Sequence, residues 1–466
     1  MAGIVSYGAY IPKLRLERKL IGSSWGIPAA PGEIAVGNFD EDSVTMAVEA
    51  GRDCLLDDPR GVGGLYFAST SAPYDEKSCS TIVASVLDLS QGSLTADFGT
   101  SLSAGMNALL AAAGAVDDDL AKSILVTAAE CRIPQPKSAD EQTLGDGAGA
   151  ILVGKENLIA EIKGIYTTYE EILGSWRTAE DRMIRDYNPR FYASKGYVPG
   201  IVSAIKGAFA KFGIGPDELS KLVYGAPDFR SHGQVAKSLG IKDQAKIQDA
   251  LFALVGGMGC AQPLVMLAAA LEEANPKDLV MVAGWGDAYN VILLEVTEAI
   301  RDLEPRRGVK GHIVSKKNLP SYAKYLELKS LLTVDRDVQS SSPIQVWRDR
   351  KAIYPLYGKK CNACGEVYFP PRRVCPYCRK YDDNEDFRLQ RKGKLWNFIH
   401  DYLYQSEDPP TTLTITDLDG GGRIFLQMTD REVEEVEVGM DIELTFRRIH
   451  EGGRFHNYYW KTRPKR

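Results

Sequence analysis

Two groups of residues in this 466-residue chain have the types and spacing to do chemistry. The first is Cys361, Cys364, Cys375 and Cys378 in "CNACGEVYFPPRRVCPYC", spaced Cys-x2-Cys, ten residues, Cys-x2-Cys. Each pair bends around a small turn so that both sulfurs face one ion. Four thiolates then close a tetrahedral shell with no open position, the pattern of structural Zn²⁺. Such a site staples a segment too small to hold a core of its own. The second group lies where Gly-rich turns open Ala-rich helices: "ADFGTSLSAGM" before "NALLAAAGAV", and "GGMGCAQP" before "LVMLAAAL". A helix N-terminus stabilises negative charge, so either turn suits a nucleophile. The first turn has Leu102 at its centre, between Ser101 and Ser103. A serine there needs an adjacent general base to be acylated; without one it serves to cap the helix. In the second turn Cys260 sits at the helix start, where a thiol pKa is expected to fall. That makes Cys260 a candidate nucleophile or acid, against the competing expectation of a small buried core residue.

The remaining cysteines, Cys54, Cys79 and Cys131, are scattered, which points to free thiols and one metal site and not to a disulfide framework. Hydrophobic residues make up 44% and charged residues 25%, an ordinary soluble composition. The net charge of −6 argues against a nucleic-acid partner, which clustered Lys and Arg would hold. No apolar run reaches the roughly 18–20 residues that span a bilayer. The first residues, "MAGIVSYGAYIPKLRLERK", have no signal-peptide pattern. A cytoplasmic protein without a membrane partner is the simplest expectation.

The elements that must position these groups alternate. Up to about residue 300, strand-like segments ("GGLYFAST", "SILVTAAE", "GAILVGK", "KLVYGAP", "LVMVAGWG", "NVILLEVT") are separated by amphipathic or Ala-rich helices such as "DSVTMAVEAGRDCLL" and "VPGIVSAIKGAFAKFG". That order predicts a layered α/β fold. It also repeats: Ile124 and Leu279, which start corresponding strands, keep the same offset as Met106 and Ala261 in the helices before them. Two related halves, 1–165 and 166–315, are expected. From 316 to 355 the texture is a helical linker, with "LPSYAKYLELKSLLT" helical and "DVQSSSPIQVWRDR" polar. A zinc ribbon over 356–385 and a small all-β barrel of about five strands over 386–466 follow, with hairpin signals in "DLDGGGR" and "EGGR".

Taken together, "GIVSYGAYIPKLRL", "EDSVTMAVEAGRDCL", "TADFGTSLSAGMNAL", "GDGAGAILVGKE", "RFYASKGYVPGIVSAIKG" and "VAKSLGI" resemble the 3-hydroxy-3-methylglutaryl-CoA synthase branch of the thiolase superfamily, above all its archaeal members. The last 120 or so residues resemble the DUF35 family, a rubredoxin-like zinc ribbon joined to an OB-fold. The resemblance implies a duplicated α/β/α/β/α fold, an acyl-CoA substrate and a homodimer or larger assembly. In relatives the DUF35 protein is often a separate chain that docks on a thiolase-type enzyme. An OB-fold can also bind single-stranded nucleic acid, but the acidic chain speaks against it.

The catalytic positions depart from that family. Its nucleophilic Cys aligns with Leu102, its acid/base Glu with Thr70, and its His with Gly225 in "GAPD", where Asp228 stands at the Asn position; its Gly-Asn turn is Gly256-Gly257. Candidates to take over are Cys260; Tyr289, beside Asp287 on the Gly-rich loop that lines the acyl site in relatives; Asp228, a base if buried; Ser101 and Ser103; and His232, seven residues beyond Gly225. Arg190, Lys195 and Lys206 match the region near the pantetheine tunnel and are candidates to hold CoA phosphates. Three functions follow. One is aldol or retro-aldol chemistry on a CoA thioester without an acyl-enzyme. The second is a non-catalytic acyl-CoA-binding or scaffolding subunit for a partner thiolase. The third is a synthase-type condensation through Cys260.

Overall fold

The computed structural model describes residues 2–332, 341–404, 406–452 and 455–466. The chain divides into two compact units, Met1–Ala84 with Leu89–Leu332, and Ser85–Asp88 with Thr333–Arg466.

The first unit is built on strands β1 (Gly3–Tyr10), β2 (Gly64–Ala68), β3 (Leu94–Phe98), β4 (Ser123–Glu130), β5 (Gly147–Gly154), β6 (Ala160–Tyr169), β7 (Lys221–Tyr224), β8 (Leu279–Ala283) and β9 (Ala288–Val296). They form one nine-stranded sheet in the order β3-β2-β4-β5-β1-β6-β9-β8-β7. Parallel β2–β4 is followed by antiparallel β5 and β1; parallel β7–β8 is followed by antiparallel β9 and β6. The halves thus repeat one order and one sense, and meet where Gly3 and Ile4 pair with Glu161 and Ala160. β6, "AEIKGIYTTY", escaped the sequence reading. Its Gly and Lys break the apolar run, and only alternate residues of its first half are buried.

Helices α1 (Ser43–Leu55), α2 (Ala104–Asp117), α3 (Ala139–Thr143), α4 (Val198–Phe212), α5 (Phe229–Ser238) and α6 (Gln262–Leu271) cover and separate the half-sheets. α1 begins at a capping box in which the Asp42 carboxylate accepts from Thr45 N–H and the Thr45 hydroxyl faces Asp42 N–H. The Ala-rich α2 and α6 pack on β5 and on each other. Every residue of α6 is buried, as a helix in a central layer must be. Their starts touch backbone to backbone: a Cβ on Gly105 would stand 2.2 Å from the Cys260 carbonyl oxygen. The two Gly-rich turns singled out by the sequence therefore face each other.

Two expectations about the linker change. The helix in "LPSYAKYLELKSLLT" spans Tyr322–Leu328, and its Tyr322, Tyr325 and Leu328 pack with Leu16, Ile21, Ile34 and Val36 of the first unit. It is part of that unit's core because its apolar face has somewhere to go. "PIQVWR" in the polar stretch is helical, with Pro343 at the favoured first turn. The earlier part of that stretch, residues 333–340, and Gly453-Arg454 of the "EGGR" turn lie outside the described residues.

In the second unit β10 (Tyr357–Cys361), β11 (Val367–Tyr368) and β12 (Asn384–Arg388) form the ribbon sheet. β13 (Lys392–Asp401), β14 (Thr411–Leu418), β15 (Arg423–Met428), β16 (Asp441–Gly452) and β17 (Phe455–Pro464) close a barrel in the order β13-β14-β15-β17-β16. Leu395, Leu426, Leu444, Phe446 and Trp460 fill it.

The halves of the first unit are clasped by main chain. Gly145 N–H donates to the Gly257 carbonyl at 3.1 Å, and Gly257 N–H to Thr143 at 2.7 Å. A Cβ on Gly145 would stand 1.8 Å from the Val255 carbonyl oxygen. Replacing Gly145 with Ala is expected to cost about 2–3 kcal/mol, as overpacking against backbone does, measured by urea unfolding of the full chain.

Candidate active site and metal centre

The turn that should carry a nucleophile is well formed and carries none. Thr100 adopts a left-handed φ of 67°, and the chain then enters α2 with Leu102 on the wall of a cavity of about 740 Å³. Ser101 Oγ lies 2.9 Å from Ser103 Oγ and accepts from Ser103 N–H at 3.2 Å. Asn107 donates to Ser103 Oγ at 3.2 Å, and Asn290 donates to Asn107 at 2.6 Å. No carboxylate or imidazole is among these partners, so neither serine has the base that acylation requires. Neither does the Ser103 side chain cap the helix. Gly286, at φ 146°, closes over this turn; a Cβ there would stand 2.6 Å from Ser103 N.

Cys260 lies against the opposite side, and its thiol is not activated. It is completely buried, and burial together with the neighbouring Glu130 carboxylate pushes the thiol well above its usual range. The lowering expected from its place at the helix start is overturned, because desolvation of a thiolate and a nearby negative charge outweigh the helix terminus. Glu130, at the end of β4, is the group the sequence reading missed. It is fully buried and accepts from Thr70 N–H at 3.1 Å, Thr70 Oγ1 at 2.9 Å, Ser71 Oγ at 2.6 Å and Cys260 N–H at 3.3 Å. A carboxylate therefore stands beside Thr70, the position where a Glu was expected, but it arrives from the neighbouring strand.

A second cavity, of about 180 Å³, opens beside these residues. Arg132, Asp140, Tyr192, Asp228, Gly257, Gly259 and Trp285 line it. Arg132, Ser175 and Tyr192 also line the larger cavity, so the two share a wall. Arg132 donates to Ser175 Oγ at 3.0 Å. Burial raises the Asp140 carboxyl above the usual range, against the pull of Arg132; Asp186 and Asp228 push the same way as burial. A half-buried carboxyl raised above its usual range beside a guanidinium is a candidate proton carrier. A signal for Arg132 and Asp140 was present only in their charge, since Arg132 lies in a loop and Asp140 in the five-residue α3, too short for a periodic pattern.

The other candidates are placed as follows. The Tyr289 ring is buried beneath Gly200 of α4, and its hydroxyl donates to the Gly196 carbonyl at 3.2 Å; its neighbour Asp287 lines the larger cavity. Asp228 caps α5, accepting from Ser231 N–H at 2.9 Å and Ser231 Oγ at 2.6 Å, while lining the smaller cavity. His232 is buried and stacked on Tyr224, ring centroids 4.2 Å apart. Arg190, Lys195 and Lys206 are exposed on α4 and the segment before it, and none lines either cavity; Asn188 and Pro189, just before Arg190, line the smaller one.

In the second unit the sulfurs of Cys361, Cys364, Cys375 and Cys378 all lie within 4.8 Å of one another. Cys361 and Cys378 are 3.6 Å apart, and Cys364 and Cys375 3.7 Å. Four convergent thiols, two buried and two exposed, fit a structural Zn²⁺ shell.

Comparison with known proteins places these features. Among solved structures the fold is similar to "MvaS in complex with 3-hydroxy-3-methylglutaryl coenzyme A" (TM-score 0.63, 17% identity, covering 73% of this chain and 94% of that one). It is also similar to 3-oxoacyl-(acyl carrier protein) synthase III, FabH, from Pseudomonas aeruginosa (TM-score 0.57, 17% identity, 64% and 98%). The class these likenesses define is one of fold, the thiolase-like α/β architecture. Hydroxymethylglutaryl-CoA synthase of Thermococcus sibiricus is 30% identical over 334 residues, 69% of this chain and 94% of that protein. That of Methanocaldococcus jannaschii is 29% identical over 71% and 99%. The chain belongs to the hydroxymethylglutaryl-CoA synthase family. Residues 348–382 match the family described as "ChsH2, rubredoxin-like zinc ribbon domain". No helix among the described residues is long and apolar enough to cross a membrane.

Two outcomes follow from this geometry. The purified protein is expected to carry one Zn²⁺ per chain by elemental analysis, and Cys375→Ser is expected to lose it. Burial holds the His232 pKa near 4, below its usual 6.5, against the pull of Asp249. A base whose folded pKa is depressed contributes its full stability above pH 6.5 and loses it as pH falls toward 4. Acidification across that window is expected to cost on the order of 2–3 kcal/mol, measured by urea unfolding. The variant His232→Phe should lack that increment.

Proposed function

We propose that this protein makes or breaks a carbon–carbon bond next to a CoA thioester by aldol or retro-aldol chemistry, without an acyl-enzyme. One observation carries the reading: the nucleophile turn presents Leu102, and the facing thiol, Cys260, is sealed from solvent and held protonated by burial and Glu130. An acyl-enzyme needs a thiolate. An aldol step needs only an enolate, a group to stabilise it and a proton carrier.

The smaller cavity supplies these. Asp140 takes the proton from the carbon next to the thioester, and the Arg132 guanidinium stabilises the enolate oxygen. The enolate carbon bonds to the carbonyl carbon of the second substrate, and the proton returns from Asp140 to the new alkoxide. Atoms and charge balance with no leaving group, and cleavage is the reverse. Glu130 does not touch the substrate in this scheme; it fixes Thr70, Ser71 and the Cys260 turn. Arg190 lies next to cavity-lining Pro189, which suits a phosphate contact at the mouth. The edge strand β3 is largely exposed and lines the larger cavity. Pairing with a second copy would cover it, in line with a dimer.

The test is intact-mass analysis after incubation with acetyl-CoA and with acetoacetyl-CoA. No acyl adduct is expected, and Cys260→Ser should retain turnover within about threefold. A stoichiometric adduct on Cys260, Ser101 or Ser103 would return the protein to synthase-type condensation. In the aldol reading the acid limb of the kcat/KM profile lies above the usual carboxylate range, and Asp140→Asn removes it. Turnover in a native complex that is indifferent to Asp140 would favour the non-catalytic scaffolding role beside a partner thiolase.

A further inference from the structure

Gly225 occupies the place where the family resemblance implies a histidine, and the structure explains what fills the space. A Cβ on Gly225 would stand 2.8 Å from both Cδ1 and Nε1 of Trp285, and 3.4 Å from Pro263. The edge of the indole that carries the N–H thus lies against Gly225. Trp285 is held there by aromatic contacts, edge-on to Tyr197 at 5.4 Å and tilted against Tyr192 at 6.5 Å. Tyr197 is itself pinned through its hydroxyl, which donates to the Gly225 carbonyl at 2.8 Å.

That N–H has no partner. Trp285 is 4% exposed, lines the smaller cavity, and its Nε1 is buried without a hydrogen bond. A buried indole N–H usually finds an acceptor, and leaving a donor unsatisfied is costly. Other orphaned buried atoms, such as His232 Nε2 and Gln248 Oε1, belong to residues that line neither cavity. Trp285 combines an orphan donor with a cavity wall that also carries Arg132 and Asp140.

We infer that the Trp285 indole N–H is the hydrogen-bond donor to the carbonyl oxygen of the bound acyl thioester, taking the space that a side chain at position 225 would need. This rests on the proposed thioester chemistry. An indole N–H donates but neither accepts a proton nor releases one near neutral pH, unlike an imidazole. At this spot the indole therefore offers carbonyl polarisation without proton shuttling. Proton transfer then falls to Asp140, on a different element of the same cavity. A donor with fixed direction and no charge stabilises an enolate oxygen as it develops, in a wall already excluded from water.

The experiment is isotope-edited infrared spectroscopy of acetyl-CoA labelled with ¹³C at the carbonyl, bound to wild type and to Trp285→Phe, with affinity measured by calorimetry. Phe keeps the ring against Tyr197 and removes the donor. The wild type is expected to shift the carbonyl stretch to lower frequency relative to free acetyl-CoA, and the variant to lose that shift with roughly fivefold weaker binding. A second variant, Gly225→Ala, puts a methyl group against the N–H and keeps the indole; it should lose the same shift, and near-UV circular dichroism reports that either variant is folded. An identical shift in wild type and in the folded variants overturns the role of Trp285 while leaving the thioester reading intact. Absence of acetyl-CoA binding to the wild type overturns both.

Discussion

The interaction on which the rest of the site depends is the hold on the Glu130 carboxylate. It is fully buried and draws donors from both halves of the first unit: Thr70 N–H, Thr70 Oγ1 and Ser71 Oγ from one, and Cys260 N–H from the other. A buried carboxylate without such donors would be expensive, so each donor is constrained to its place. Because Cys260 N–H is one of them, the start of α6 is tied to the end of β4, and Gly105 of α2 is pressed against the Cys260 carbonyl. One carboxylate thereby fixes the mutual position of the two turns that flank the reaction centre. The same proximity raises the Cys260 thiol, so the interaction that orders these turns also keeps that thiol protonated.

The departures from the family then form a consistent set. Leu102 stands where the resemblance implies a nucleophile. Glu130 puts a carboxylate beside Thr70 from another strand, where it organises the wall. Gly225 makes room for Trp285. Asp140 on α3 and Arg132 just after β4 bring a carboxyl and a cation to the smaller cavity. Each change alone would weaken a condensing enzyme that works through an acyl-cysteine. Together they suit chemistry that keeps the thioester intact.

Much of the fold was legible because its determinants are local. Short apolar runs rich in Val, Ile and Leu marked six of the nine sheet strands, Ala-rich segments marked α2 and α6, and Cys-x2-Cys pairs marked the ribbon. β6 was missed because half of it faces outward with Lys and Glu in the run. The proposed site was legible only as departures at Leu102, Thr70 and Gly225 from the positions that the family resemblance implies. Its replacements were not. Glu130 reads as the end of a strand, Trp285 as one tryptophan in a Gly-rich turn, and Asp140 as a surface charge. What singles them out is burial and juxtaposition across elements far apart in sequence. Tyr289 and His232 were singled out by residue type, and the structure places both in packed surroundings, under Gly200 and against Tyr224.

The central claim, that a thioester is held and activated for deprotonation without transfer of its acyl group, is tested most directly by proton NMR of acetyl-CoA with the holoprotein in D₂O, with free CoA thiol assayed in parallel. The expected result is exchange of the acetyl methyl protons for deuterium with no release of CoA. Release of one CoA per chain, with the acetyl group left on the protein, would contradict it.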